Sequence, residues 1–144
     1  MRRLTASCRG AADVVLAVLA AAGLVIDAIV HLRLAGRYDP IGGTISQGDL
    51  FRVQGALALL LAAGVLAAPW RRTLYAATFV VAASAFGAVM LYRYVDVGAL
   101  GPLPNMYEPV WFGQKTLSAY AEAAAAAAAL AGLFRATRPD HGRT

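Results

Sequence analysis

Four apolar runs, each long enough to cross a lipid bilayer, dominate the sequence. They cover residues 14–34, 47–68, 72–93 and 114–135. A helix rises ~1.5 Å per residue, so each run of about 20 residues spans the ~30 Å hydrocarbon layer. Backbone groups in lipid must pair within their own segment, and the runs lack the period-two alternation of barrel strands. The sequence therefore predicts an all-α chain that folds as an antiparallel four-helix transmembrane bundle.

The composition agrees with a membrane environment and argues against the usual soluble classes. Hydrophobic residues make up 60% of the 144-residue chain and charged residues only 15%, whereas soluble domains carry about 25% charged residues. The net charge of +5 comes from basic residues that flank the apolar runs. We therefore expect the lipid bilayer as partner and no nucleic acid. Residues 1–144 are predicted to form one membrane domain with a frayed polar tail at 136–144.

Basic residues are distributed unevenly between the connections of the four runs. Eight lie in the N-terminal segment, the second loop and the tail, which share one side of the membrane: Arg2, Arg3, Arg9, Arg71, Arg72, Arg135, Arg138 and Arg143. The other side carries five: Arg33, Arg37, Arg52, Arg93 and Lys115. Cytoplasmic loops hold the excess of Lys and Arg. The distribution therefore predicts N-in and C-in, with two long loops outside.

The first apolar run also allows a signal-peptide interpretation. Arg2, Arg3 and Arg9 make a basic start, and Ala20-Ala21-Ala22 offers a small-residue cleavage site. Cleavage would leave three spans. We favour a retained helix, because the apolar run continues past the alanines to Leu34.

Two sequence patterns mark helix starts. Ser46 followed by Asp49 predicts a capping box that opens the second helix near Gln47. Asn105 followed by Glu108 is a weaker form of the same pattern ahead of the fourth run, and Pro109 is expected to be tolerable in a first helical turn.

Several polar side chains interrupt the apolar runs, where a charge costs at least about 2.5–3.5 kcal/mol on insertion scales. Asp27 and His31 are four residues apart and share one face of the first helix. Ala20 and Gly23 extend that face with small side chains that suit close helix packing. Glu122 lies within the fourth run, where Gln114, Ser118 and Glu122 form a stripe at intervals of four.

These polar residues fall at similar depths. Counted from the outer helix ends at ~1.5 Å per residue, Asp27, Glu122 and Ser84 lie roughly 10–12 Å down, and His31 and Gln54 about 5 Å. The inner halves of the runs are nearly pure Ala, Leu and Val. The asymmetry predicts a bundle whose outer half encloses a polar pocket and whose inner half is sealed.

The predicted pocket allows three kinds of chemistry. Asp27, His31 and Glu122 can hold a divalent cation such as zinc, iron or manganese, which is the candidate cofactor. The same groups can relay protons. A purely structural alternative pairs the two carboxylates with basic residues near the outer rim: Arg33, Arg52 or Arg93. Catalysis is less favoured, because the sequence has no nucleophile or cofactor motif.

The third loop, residues 98–111, contains three prolines and several large apolar residues. It could form a lid over the pocket with Glu108 pointing inward. Trp111 and Phe112 are better explained as interfacial anchors, since aromatic residues collect at the headgroup level.

Three segments carry a resemblance to a family: residues 93–111, Asp27-Ala28-Ile29-Val30-His31, and Gly48-Asp49-Leu50-Phe51-Arg52. With them the chain resembles uncharacterised four-span membrane proteins of actinobacteria over about residues 12–134. The resemblance implies a multi-pass protein of the cell (inner) membrane and implies no activity.

Two functions follow as expectations. The first is a small membrane protein with an outward-facing polar pocket that binds an ion or small ligand through Asp27, His31, Glu122, Glu108, Gln54 and Ser84. The second is a non-catalytic accessory subunit of a larger membrane complex, or a homo-oligomer, packed through small faces such as Ala123 to Ala129.

Overall fold

The computed structural model of the protein describes residues 2–136, with side chains from residue 10 onward. This part of the chain forms four helices: α1 (Arg2–Tyr38), α2 (Gln47–Ala67), α3 (Arg72–Tyr94) and α4 (Gly113–Ala136). All four are long and apolar enough to span a membrane. The predicted all-α, four-helix architecture is confirmed, and the chain is a small multi-pass membrane protein. From residue 137 onward, the predicted frayed tail lies outside the described residues.

Helix α1 extends beyond the apolar stretch 14–34 into the polar residues on both sides of it. It is unbroken through the alanines of the suggested cleavage site. Ala20 and Ala21 are buried in the bundle. This segment is therefore part of the packed structure.

The helices pack in a ring with one weak side. Helix α1 packs extensively against α2 and α4, α3 packs against α4, and the contact between α2 and α3 is the least extensive. Neighbouring helices are antiparallel, so the start of α1 meets the end of α4, where Arg135 Nε lies 2.9 Å from Asp13 Oδ1. We call this end the short-loop end. The opposite, long-loop end carries the connections 39–46 and 95–112.

Small residues bring the helices close together. A Cβ placed on Gly23 would lie 2.6 Å from the carbonyl oxygen of Ala121 and 2.9 Å from the Cβ of Ala125. A Cβ on Gly55 would lie 2.9 Å from Leu32 Cγ. Such contacts allow α1 to approach α4 and α2 at backbone distance. The small-residue face predicted around Gly23 therefore packs against α4.

The start of α2 is fixed by local hydrogen bonds. The predicted capping box is confirmed: Ser46 Oγ accepts from Asp49 N, and Asp49 Oδ2 accepts from Ser46 N. Arg52 donates to both carboxylate oxygens of Asp39, at 2.7 and 2.8 Å. These hydrogen bonds lower the pKa of the Asp39 carboxyl group. The loop 39–46 is thereby fastened to the first turns of α2.

The weaker capping pattern at Asn105 was wrong. Helix α4 begins only at Gly113, and Asn105 instead stabilises the loop by donating to Asp96 Oδ1 at 2.9 Å. Its own Oδ1 accepts from Tyr107 N. Pro109 explains the failure, because the residue before a proline is disfavoured in helical backbone.

Which side of the membrane holds the long-loop end stays a prediction, and cysteine labelling tests it. Cys8 is the only cysteine of the wild type. A membrane-impermeant maleimide applied to intact cells should label a Cys8→Ala, Gly43→Cys double variant and spare the wild type until the cells are permeabilised. The reverse pattern would place the long-loop end in the cytoplasm.

The close approach of α1 and α4 predicts that Gly23→Ala destabilises the bundle. Overpacking of a filled interior costs about 1–3 kcal/mol, which detergent-phase unfolding monitored by circular dichroism can measure. Gly87→Ala is the matched control, since a Cβ at this helical glycine meets nothing within 4 Å. Equal stability of the two variants would contradict the proposed backbone contact.

Candidate functional site

The Asp27 carboxylate is the centre of a hydrogen-bond cluster that joins three helices. Its side chain is 1% exposed. Gln54 Nε2 of α2 donates to Oδ2 at 3.0 Å, and Ser118 Oγ of α4 lies 2.9 Å from Oδ1. His31 Nδ1, one turn further along α1, lies 2.7 Å from the same oxygen. The cluster thus replaces water around a carboxylate in the bundle interior.

Glu122 joins the cluster from α4, one turn after Ser118. Ser118 Oγ also lies 2.9 Å from Glu122 Oε1, but a hydroxyl group carries a single hydrogen and can donate to one carboxylate at a time. The second oxygen of Glu122, Oε2, is buried and has no hydrogen-bond partner. When both carboxyl groups are ionised, they therefore compete for the single Ser118 hydrogen.

The hydrogen bonds of His31 define its tautomer. Nδ1 faces two oxygens of Asp27, the carbonyl at 3.1 Å and Oδ1 at 2.7 Å, so Nδ1 carries a hydrogen. The ring also packs edge-on against Phe51, with 5.0 Å between centroids. Within the described part of the chain, Nε2 has no hydrogen-bond partner.

The three titratable groups have the spacing of metal ligands. Asp27, His31 and Glu122 each offer one ligand atom, and these atoms lie within 4.8 Å of one another. Two ligands of one ion with bonds of ~2.1 Å lie at most about 4.2 Å apart, so small side-chain movements would suffice. Ser118 Oγ, 2.9 Å from both Asp27 Oδ1 and Glu122 Oε1, is a further oxygen next to these groups.

A cavity of about 430 Å³ lies between the four helices at the long-loop end. His31, Gln54 and Ser118 line it, so the side chains that hold Asp27 also form the cavity wall. Asp27 and Glu122 themselves lie behind this wall. The rest of the lining is mostly apolar.

Glu108 of the 95–112 loop lies at the long-loop end of the cavity and contacts three helices. Its Oε2 accepts from Tyr38 Oη of α1 at 3.3 Å, and its N–H donates to the Tyr92 carbonyl of α3 at 3.0 Å. Lys115 Nζ of α4 donates to the Glu108 carbonyl oxygen. The loop therefore covers this end of the cavity.

Ser84 lines the cavity but does not join the polar cluster. Its hydroxyl donates to the carbonyl oxygen of Val80 in the preceding turn of α3. Of the residues predicted for the site, the structure brings Asp27, His31, Glu122 and Gln54 into one network. Glu108 and Ser84 face the same cavity from separate places.

The structural alternative with arginine partners is wrong in the described residues. Asp27 and Glu122 make no ion pair with an arginine there. Arg52 binds Asp39 and Asp49 at the surface, and Arg93 stacks on nearby aromatic rings.

Three residues of the site were not predicted from the sequence: Ser118, Tyr38 and Lys115. Ser118 was visible in the stripe with Glu122 but gave no separate signal for contact with α1. Tyr38 continues the Asp27–His31 face of α1 by helical spacing, which could have found it. Lys115 could not have been found, because its position depends on where the loop before α4 ends.

Comparison with family models, with curated proteins and with solved structures finds no match to this chain. The resemblance to actinobacterial four-span proteins therefore stays a prediction.

The shared hydroxyl predicts that Ser118→Ala weakens the bundle. Loss of a donor to buried acceptors costs about 1–3 kcal/mol, measurable as a lower unfolding midpoint in detergent. Ser84→Ala is the matched control, because its hydroxyl bonds only within its own helix. A Ser118→Ala protein as stable as Ser84→Ala would show that the hydroxyl is not needed by the cluster.

Proposed function

We propose that this membrane protein binds a divalent transition-metal ion at Asp27, His31 and Glu122, reached from the outward-facing long-loop end. The observation that carries the proposal is the convergence of two buried carboxyl groups and the largely buried His31 imidazole, from α1 and α4, within 4.8 Å. Imidazole with carboxylates suits zinc, iron or manganese.

Charge balance supports a cation. Two carboxylates and a neutral imidazole carry two negative charges, and no arginine or lysine of the described chain pairs with them. Charges in an apolar interior must be compensated. A divalent ion balances them, and so do two protons bound to the cluster. The site therefore exchanges protons for the metal.

The unpartnered Oε2 of Glu122 also supports the proposal. A buried carboxylate oxygen without a donor is costly, and a bound cation would remove that cost. Gln54 and Ser118 would then act as outer partners that orient the ligands, as hydrogen-bonding neighbours do in other metal sites.

The accessory-subunit alternative depended on the alanine run from Ala123 to Ala129. Within this run Ala125, Ala128 and Ala129 are buried in the protein's own bundle, so much of the small face serves internal packing. A stoichiometric partner recovered in a mild-detergent pull-down, from a protein that binds no metal, would favour this alternative over metal binding.

Metal binding can be tested on the detergent-purified full chain. Equilibrium dialysis against Zn²⁺, Mn²⁺ or Fe²⁺ with elemental analysis should find one ion per chain for at least one of the three. Asp27→Asn and Glu122→Gln preserve side-chain shape and should abolish the binding. Gln54→Leu should weaken it by about 10–100-fold, as expected for an outer partner.

Matched controls separate this site from adventitious binding. Asp49→Asn changes a carboxylate at the surface, and His141→Ala removes the only other histidine; both should bind metal as the wild type does. If the controls lose binding, or if Asp27→Asn retains it while folded, the proposed site is wrong.

The exchange of protons for metal predicts a pH dependence. Metal affinity should rise with pH, and binding should release protons into weakly buffered solution, because ligands must be deprotonated. Titration calorimetry in two buffers of different ionisation enthalpy measures the number released. Binding without proton release would contradict the charge-balance argument.

A further inference from the structure

The cavity beside the polar cluster opens sideways between α2 and α3. Leu57 of α2 and Ser84 and Ala88 of α3 line the cavity, and all three are exposed residues. All three lie within helices that can span a membrane. The opening coincides with the weakest helix contact of the ring. It therefore faces the acyl chains of the bilayer.

The polarity of the cavity changes with depth in the same direction as a lipid leaflet. At ~1.5 Å per residue, Lys115 lies about 3 Å from the long-loop end of its helix, and His31 and Gln54 about 10 Å from theirs. Deeper along α2 and α3 the wall is formed by Leu57, Val81 and Ala85, together with Ser84. The Ser84 hydroxyl already donates to the Val80 carbonyl of its own helix.

The long-loop end of the cavity has hydrogen-bond donors that are not used within the described structure. The Lys115 ammonium group has three hydrogens, and its one hydrogen bond in the described structure goes to the Glu108 carbonyl. A head group that accepts hydrogen bonds would find a donor here. A volume of about 430 Å³ falls within the range of about 300–1,000 Å³ typical of small-molecule sites.

We propose that this cavity binds a single-chain amphiphile from the surrounding leaflet, with its hydrogen-bond-accepting head at Lys115 and its chain leaving between α2 and α3. The amphiphile enters from the lipid and not from water. Its site adjoins the metal ligand His31, which lines the cavity, and does not include Asp27 and Glu122, which lie behind the cavity wall.

Photolabelling in vesicles tests the proposal. The full chain is reconstituted in phosphatidylcholine with a palmitic acid that carries a mid-chain diazirine, in the presence of a chelator so that the metal site plays no part. Mass spectrometry should locate the label on the α2 and α3 residues around the opening. Excess unlabelled palmitic acid should suppress it.

Variants at the opening supply the controls. Ala88→Phe, at the exposed mouth, and Ala85→Phe, further inside, should both lose the label. Ala77→Phe, on an exposed position of α3 away from the cavity, should retain it. Lys115→Leu should lose the label and Lys115→Gln, which keeps a donor, should retain part of it.

The outcomes separate clearly. The unfolding midpoint of each variant shows whether it folds. If Ala85→Phe does not fold, Ala88→Phe still tests whether filling the opening removes the label. Label spread evenly over the lipid-facing residues, or unchanged in both filled variants, would overturn the proposal. Neither result would affect the metal site, which is measured without the amphiphile.

Discussion

A carboxylate inside a membrane bundle has no water around it, and the solvation of Asp27 by other helices is the interaction on which this structure depends. Its partners come from α1, α2 and α4, so the burial of one charge fixes the relative position of three helices. Hydrophobic burial cannot do this, because lipid chains are as apolar as the helix surfaces. Polar contacts and close packing must specify the arrangement instead.

Close packing determines where the bundle is tight and where it is open. Gly23 and Gly55 bring α1 against α4 and α2 at backbone distance, and the small residues of α4 fill the interior on that side. The glycine contact between α2 and α3 lies at the short-loop end, where a Cβ on Gly64 would lie 3.1 Å from Leu74 Cδ2. At the long-loop end the side chains of these two helices that line the cavity include Leu57, Ser84 and Ala88. The cavity therefore lies on the side that small-residue packing leaves weakest, and its lateral opening follows from the same cause.

Much of this could be read from the sequence, and the failures share a physical reason. Run length and hydropathy predict the four helices, and the cost of buried charge singles out Asp27 and Glu122. The capping box at Ser46 is local and was predictable for that reason. The Asn105 pattern and the arginine partners failed because each depends on contacts that the side chain makes elsewhere. Asn105 donates to Asp96 within the loop, while Arg52 binds Asp39 and Arg93 stacks on aromatic rings. The structure alone places Ser118 between the two carboxylates.

The second carboxylate is the strongest argument that the cluster does more than hold the helices together. One carboxylate with donors from three helices already makes a complete polar contact. A glutamine at position 122 could bond both Ser118 and Asp27 without bringing a second titratable group into the interior. Glu122 instead competes for the Ser118 hydrogen and leaves Oε2 without a donor. The cost of that unpaired oxygen is removed when the group binds a proton or a cation, since either converts it into a bonded one.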